Sequence, residues 1–358
     1  MKRFLFKTFV FFLLFTLIFA LALKYYVANR VGFNKIIEYQ GLVKLNKKSS
    51  ISLSASIYDE YQRKFNLSQD FLPFNGAAHK QTVFCREFGE FINYESDRYG
   101  FRNKDSHWDH SVDVVIVGDS FSQGACVSND YTFTEQLMNK GKNTINLGSY
   151  SNGPLSNYAI LKEYGSSLKP KEVFWFQVAN DFAIDFNWEK QQAQLRRYLY
   201  EDSFTQSLIH KQRDIDHLSA TILDKIIEEN RKLKNNDISS LQKFDFFKKQ
   251  LFQSLSRPHP KITHQNMDYF VQNQIDWPQL EAVFRKSKSL VENWGGRLTV
   301  VLIADAQMYD TRHKDSTNTY RQSVQEFFKQ NSITFIDTFY ALNKCPIAYH
   351  LTLPVASI

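Results

Sequence analysis

Short apolar runs separated by stretches of helical character dominate the chain from Val112 onwards. A continuous run of β-branched and aromatic residues predicts a strand buried on both faces, and alternation of such runs with helices is typical of a parallel sheet. Five strands suffice for a small doubly wound α/β fold. The predicted strands are Val112–Val117, Thr144–Leu147, Glu172–Val178, Arg297–Ile303 and Ile333–Ile336.

A long interval between the third and fourth runs, from about residue 182 to 296, has helical periodicity. We predict that it forms a helical lid or elaboration of the same domain, since apolar stripes at helical spacing usually pack against a core. Two stripes lie there: Ile222, Leu223, Ile226 and Ile227, followed by Phe244, Phe246, Phe247, Leu251 and Phe252.

The first 28 residues differ from the rest of the chain. Basic residues precede the apolar run Thr8–Leu23, which approaches the roughly 20 residues that cross a bilayer. A cleaved signal peptide is the alternative, because Ala20 and Ala22 resemble a cleavage site. We favour an uncleaved transmembrane anchor, since the run is long for a signal and Tyr25 and Tyr26 suit the membrane interface. Positive charges before the span favour a cytoplasmic N-terminus, so we expect the body of the protein to lie outside the cytoplasm.

Two further segments follow the predicted anchor. Residues 29–110 lack clear periodicity and are predicted to be an extended lead-in that packs on the following domain. Residues 111–358 are predicted to form the α/β domain with its helical insertion. The net charge of +7 is dispersed among acidic residues and includes no long basic block. This pattern excludes a typical nucleic-acid surface and leaves attraction to anionic lipid or polysaccharide.

The three cysteines have no metal-ligand spacing, and the sequence implies neither a metal nor a cofactor. An exported chain could join two of them, and Cys85 with Cys126 is the pair that we expect. Buried free thiols are the alternative. Cys345 is the remaining cysteine.

Ser120 is the main candidate for chemistry. It follows the first predicted strand in Gly118-Asp119-Ser120, where the carboxyl ends of parallel strands gather reactive groups. The glycine permits a tight turn, and the N–H of Ser120 would be free to bind an oxyanion. A helix-cap or turn serine is the alternative interpretation of this tripeptide.

The next two strands also end in small polar loops, Asn146–Leu155 and Ala179–Asp181. Together with Gly118-Asp119-Ser120, this order resembles the SGNH, or GDSL, hydrolase superfamily. The resemblance implies a three-layer α/β/α sandwich, with Ser120 as the nucleophile and Asn180 as an oxyanion-binding residue. With Tyr99-Gly100-Phe101-Arg102-Asn103 upstream, the chain is similar to a membrane-anchored subgroup associated with bacterial envelope polysaccharides.

The sequence departs from this family's pattern at two places. Ser151 stands where a glycine is expected, five residues after Asn146. Its backbone N–H could still bind the oxyanion, provided that the loop does not require a positive φ there.

The second departure concerns the general base. The family usually carries Asp-x-x-His after the last strand, whereas His350 here has Ile347 three residues before it. A serine–histidine dyad could still deprotonate Ser120. Asp337 could orient His350, although an aspartate ending a strand is more often a turn residue. The alternative base is His313 with Asp310, whose position before the last predicted helix and strand counts against it.

The resemblance therefore implies three functions in order of preference. The first is a serine-dependent esterase that removes O-acetyl or similar groups from an envelope or exported polysaccharide, using Ser120 and His350 with an oxyanion hole of Ser120, Ser151 and Asn180. The second is an O-acyltransferase with the same residues. The third is a non-catalytic scaffold or carbohydrate-binding subunit. The expected location is a bacterial inner membrane, anchored in the lipid bilayer, with the main domain in the periplasm or outside the cell.

Overall fold

The five apolar runs form one parallel sheet, as the sequence predicts. The computed structural model describes residues 49–67, 70–85, 91–234, 275–304, 306–309, 314–339 and 341. Three short strands precede the sheet: β1 (Ser49–Ile51), β2 (Gln81–Cys85) and β3 (Ile92–Glu95). The sheet itself contains β4 (Val114–Val117), β5 (Thr144–Asn146), β6 (Glu172–Gln177), β7 (Arg297–Leu302) and β8 (Thr334–Asp337).

The strand order is β5-β4-β6-β7-β8, and every neighbouring pair is parallel. The chain runs outward to one side of β4 and then crosses to the other, which makes the boundary between β4 and β6 the topological switch point. Val114 pairs with Glu172 and Val117 with Trp175, so these two strands run level with each other over the length of β4. Ligands of such sheets bind in the crevice at the carboxyl ends of the strands at this point.

Alternate residues of β4 face two different apolar clusters. Val115 and Val117 belong to the main core, whereas Val114 and Ile116 belong to a smaller cluster on the other face. All four are nearly or fully buried, which explains why the run is continuously apolar. Leu137 packs against the smaller cluster. The sheet is therefore covered on both faces.

The helices occupy the stretches between strands. In chain order they are α1 (Ala55–Lys64), α2 (Ser120–Gln123), α3 (Phe133–Met138), α4 (Pro154–Ile160), α5 (Ser166–Leu168), α6 (Phe186–Glu189), α7 (Ala193–Tyr200), α8 (Gln212–Lys234), α9 (Trp277–Asn293) and α10 (Lys314–Gln330). Two π-helical segments, Leu161–Gly165 and Asp181–Asp185, lie between them. Short 3₁₀ turns add Asp105–Asp109, Asn129–Tyr131, Leu208–His210 and Ala306–Tyr309.

The predicted helical insertion contains α8, in which Ile222 and Ile226 are buried at helical spacing. The second predicted stripe, Phe244 to Phe252, lies outside the described residues. The last helix of the interval, α9, is not a lid. Its Phe284 packs against Trp175 of β6 with ring centroids 4.8 Å apart, which makes α9 the crossover helix that returns the chain to β7.

The segment predicted as an extended lead-in contains α1 and a separate three-stranded sheet. In that sheet β1 pairs in parallel with β2, and β2 pairs in antiparallel with β3. These strands have no regular alternation because they are only three to five residues long and the β2–β3 register shifts between Val83 and Cys85. The segment also reaches the insertion, since the hydroxyl groups of Tyr58 and Ser219 lie 2.6 Å apart.

The predicted membrane anchor, residues 1–28, lies outside the described residues. In the part of the chain that the structure describes, no helix is both long enough and apolar enough to cross a bilayer.

Candidate active site

Ser120 is the first residue of α2, directly beyond the carboxyl end of β4. The turn before it depends on Gly118, whose φ is +149° and where an added Cβ would lie 2.6 Å from the carbonyl oxygen of Phe176. Asp119 caps the helix by accepting a hydrogen bond from the N–H of Phe121 (2.9 Å). The Ser120 hydroxyl is 3.5 Å from Asp119 Oδ2, a long contact that holds it weakly.

Arg102 holds the chain that follows α2. It is almost fully buried, and its guanidinium donates hydrogen bonds to the carbonyl oxygens of Gly124 and Val127 and to Oδ1 of Asn129. Charged donors make stronger hydrogen bonds than neutral ones, so this side chain fixes the loop behind Ser120. The sequence motif around residue 102 is thus a structural support for the turn that carries Ser120.

Asn103 performs the same role for the loop after β5. Its side chain donates to the carbonyl oxygen of Asn146 (2.9 Å) and accepts from the N–H of Asn146 (2.8 Å). Asn146 in turn donates to the carbonyl oxygen of Ser122 (2.7 Å), and Gln123 accepts from the N–H of Tyr150 (2.9 Å). These buried amides link the first two polar loops to each other.

Ser151 adopts a φ of 56°, in the left-handed region. Glycine is the residue that normally occupies this region, because a Cβ there collides with the backbone. The condition that the loop avoids a positive φ at residue 151 is therefore not met, and the serine is held there in a conformation that suits glycine. Among the described residues, no acceptor bonds to the N–H of Ser120 or to the N–H of Ser151.

Asn180 follows β6 and precedes the π-helical segment Asp181–Asp185. Its carbonyl oxygen accepts hydrogen bonds from the N–H groups of Ala183 and Ile184 (3.2 and 2.7 Å). Its side-chain amide donates to Oδ2 of Asp185 (2.7 Å). The amide is consequently held in one orientation beside the carboxyl end of the sheet.

Four buried carboxyl groups lie in this region: Asp119, Asp181, Asp185 and Glu189. Burial is the main cause that raises their pKa values, to about 6 for Asp119, about 7 for Glu189 and about 8 for Asp185. Burial together with the charge of Asp119 raises the pKa of Asp181 well above its usual range. Asp181 and Asp185 therefore retain their protons near neutral pH, where exposed carboxyl groups are ionised.

Glu189 supports the loop that carries Ser151. It accepts hydrogen bonds from the N–H groups of Gly153 (2.8 Å), Leu155 (2.8 Å) and Ser156 (3.0 Å), at the start of α4. The fit is close, since a Cβ at residue 153 would lie 2.7 Å from Glu189 Oε2. The loop after β5 is thus braced by Asn103 on one side and by Glu189 on the other.

A disulfide joins Cys85 of β2 to Cys126, in the loop beyond α2. This is the pair that the sequence analysis expects, and the Cα atoms are 5.2 Å apart. The bond ties the small sheet to the same loop that Arg102 holds. Cys345 lies outside the described residues.

The structure brings Ser120, Ser151 and Asn180 to the carboxyl ends of three adjacent strands, β4, β5 and β6. The predicted base His350 and the alternative His313 with Asp310 lie outside the described residues. Asp337 accepts hydrogen bonds from Nε of Arg321 (2.7 Å) and from the N–H of Phe339 (2.9 Å), as expected of a turn residue.

The supporting residues around these three positions are not predicted from the sequence. Asp181, Asp185 and Glu189 recur every four residues, which places them on one helical face. This spacing can be read from the sequence, but acidic residues at helical spacing normally lie on a solvent-exposed helix face. The carboxyl groups of these three residues are instead buried.

The fold and the site together define this chain as an α/β protein with a polar site at the topological switch point of its parallel sheet. No protein-family model matches the chain, and a comparison with curated proteins found no match.

Proposed function

We propose that this chain is a serine-dependent ester hydrolase of the SGNH type, with Ser120 as its nucleophile. The observation that carries the proposal is the convergence of Ser120, Ser151 and Asn180 at the ends of β4, β5 and β6. Two backbone N–H groups and one side-chain amide at this edge of the sheet would form the kind of donor set that stabilises a tetrahedral oxyanion.

In the proposed reaction the Ser120 oxygen attacks the acyl carbonyl while His350 removes the hydroxyl proton. The N–H groups of Ser120 and Ser151 and the amide of Asn180 bind the oxyanion. His350 then gives the proton to the leaving alcohol oxygen, and an acyl-serine remains. Water, deprotonated by the same base, hydrolyses the acyl-serine and releases a carboxylic acid. The alternative base in this scheme is His313, oriented by Asp310.

The proposed substrate is an O-acetyl or similar ester on an envelope or exported polysaccharide. This proposal derives from the resemblance described above and from the predicted membrane anchor, which would hold the domain on the periplasmic side of a bacterial inner membrane. The Cys85–Cys126 disulfide supports export, because such bonds persist in oxidising compartments and are rare in the cytosol.

A fluorophosphonate probe, which reacts with activated serines, tests the nucleophile. We expect the full-length protein to be labelled and the Ser120→Ala variant to be unlabelled. Ser128→Ala is the matched control, since Ser128 is exposed in the same loop and its side chain makes no capping hydrogen bond to the turn that follows it. Equal, weak labelling of folded wild-type protein and Ser120→Ala would favour the scaffold alternative and reject the enzyme.

Product analysis separates hydrolysis from transfer. With an acetyl ester as donor, a hydrolase releases the same amount of free acetate with and without a sugar acceptor. A transferase needs the same nucleophile, base and oxyanion hole, but its acetate moves to the sugar hydroxyl. Acetylated sugar in place of acetate would therefore replace the hydrolase by the transferase.

A further inference from the structure

We propose that Asp185 is a positioning residue, which holds the Asn180 amide in the oxyanion-binding orientation and acts in its neutral form. The inference rests on the proposed function. It concerns a residue that belongs to neither the nucleophile nor the base nor the oxyanion donors.

The contact that carries the proposal is the 2.7 Å hydrogen bond from Asn180 Nδ2 to Asp185 Oδ2. The same nitrogen also lies 3.4 Å from Asp181 Oδ1, a long contact, so the short bond to Asp185 is the stronger restraint on the amide. The backbone adds a second restraint, since the N–H of Asp185 also points at the carbonyl oxygen of Asn180 (3.3 Å). Asp185 therefore contacts both the side-chain amide and the backbone carbonyl of Asn180. In the proposed reaction, that amide must point at the reacting carbonyl.

Asp185 also belongs to the element that braces the neighbouring loop. Glu189 lies one helical turn further on and binds the N–H groups of Gly153, Leu155 and Ser156. Asp185 holds the donor after β6, and Glu189 holds the loop that carries the donor after β5. The segment Asp181–Glu189 thus supports two sides of the oxyanion site at once.

The charge state of Asp185 matters because it contacts an oxyanion donor. An ionised carboxylate there would oppose the negative charge that develops on the substrate oxygen, whereas a neutral carboxyl would not. Asp185 is half-buried as a residue, but its carboxyl lies inside the protein. Burial, and then the charges of Glu189 and Asp119, raise its pKa to about 8.

The neighbours of Asp185 act in both directions: the charges of Glu189 and Asp119 raise its pKa, whereas hydrogen bonds with Asn180 and Asp181 lower it. In the described part of the chain, the ionisable groups that act on its carboxyl are Asp119, Asp181 and Glu189, and all three are acidic. Glu189 accepts three N–H bonds at the start of a helix, which lower its pKa, although burial still raises that pKa to about 7. Burial and the charges of Glu189 and Asp119 outweigh the hydrogen bonds, so the pKa of Asp185 remains raised.

Three variants test the proposal through probe labelling and ester turnover between pH 6 and 9. We expect Asp185→Ala to lower kcat by about 10- to 100-fold with little change in KM, a part of the loss that follows removal of an oxyanion donor. Asp185→Asn keeps an acceptor for Asn180 but cannot ionise. It should retain kcat within a few-fold at pH 7 and abolish the decline that wild type shows above about pH 8. Asp224→Asn, at an exposed acid on α8, is the control for lost charge.

Two results would overturn the proposal. One is wild-type labelling and turnover by a folded Asp185→Ala protein. The other is a loss in Asp185→Asn as large as in Asp185→Ala, which would mean that the carboxyl itself is required. If Asp185→Ala does not fold, the pH profile of Asp185→Asn decides alone, and an alkaline decline identical to wild type refutes the neutral-form mechanism. Absence of labelling in both wild type and Ser120→Ala would instead reject the proposed function, and this inference with it.

Discussion

Replacement of Ser151 by glycine should stabilise the protein, because the serine occupies a backbone conformation that suits glycine. The left-handed region costs an L-residue roughly 1–2 kcal/mol, and φ at Ser151 is 56°. The greater freedom of glycine in the unfolded chain offsets about 0.5–1 kcal/mol of this gain. The hydroxyl of Ser151 forms no hydrogen bond with any described residue, so little else is lost. The net expectation is a gain of about 0.5–1 kcal/mol.

Urea unfolding followed by tryptophan fluorescence measures this gain. With an m-value of about 3 kcal/mol/M, suitable for a domain of this size, the midpoint of Ser151→Gly should rise by about 0.2–0.3 M. Ser151→Ala is the matched control, because it removes the hydroxyl but keeps the Cβ and its strain. Its midpoint should not rise. Probe labelling at Ser120 should be retained in both variants, since the backbone N–H of residue 151 remains.

A glycine variant no more stable than the alanine variant would refute the strain argument. It would show that the loop relieves the left-handed conformation at residue 151 in solution. A stable glycine variant that loses all labelling would contradict the other half of the reasoning, namely that residue 151 contributes its N–H and not its side chain.

Three other predictions concern the supports of the site. Arg102→Met should lower the free energy of unfolding by about 3 kcal/mol in the same urea experiment, because it leaves buried carbonyl groups unpaired. The control is Arg63→Met on an exposed helix face, which should change the free energy of unfolding by less than about 0.5 kcal/mol. Replacing Cys85 and Cys126 by serine should lower it by up to about 4 kcal/mol for a separation of 41 residues, and a reductant should then have no further effect on the melting temperature. Between about pH 4 and pH 8 the folded chain retains the Asp185 proton, since its pKa is raised to about 8, while the unfolded chain releases it near 3.8. Stability should thus fall as pH rises through this window, and Asp185→Asn should reduce the difference between urea midpoints at pH 5 and pH 8.

The strands could be predicted because their signal is local. Val114–Val117 is buried on both faces, so each of its residues is apolar and the run stands out from its surroundings. The candidate site followed from topology, since the ends of parallel strands share one edge of the sheet. The order of strands and loops therefore predicts that the loops carrying Ser120, Ser151 and Asn180 share one edge, whereas the choice of Ser151 and Asn180 within those loops depends on the family resemblance.

The supports of the site could not be predicted in the same way. Arg102 binds mainly backbone carbonyl oxygens, and every residue has one, so no sequence pattern identifies its partners. The small sheet β1–β3 could not be predicted, because the parallel pairing of Ser49 with Gln81 spans 32 residues and involves a strand of only three residues. The helical spacing of Asp185 and Glu189 can be read from the sequence. Their support of Asn180 and of the loop after β5 depends on burial, which a sequence does not state.

The contacts around Ser120 determine how early, in N-to-C order, this part of the chain can fold. They join residues between Ser52, which Gln123 contacts, and Glu189. Synthesis and export both proceed from the N-terminus, so all of these partners reach the folding compartment before β7, whose pairing with β6 must wait for roughly 120 more residues. At about 5–20 residues per second that delay lasts roughly 6–24 s. During it, the edge of β6 that includes Trp175 and Phe176 has no partner strand, so the nascent chain has a template for aggregation just when its site is taking shape.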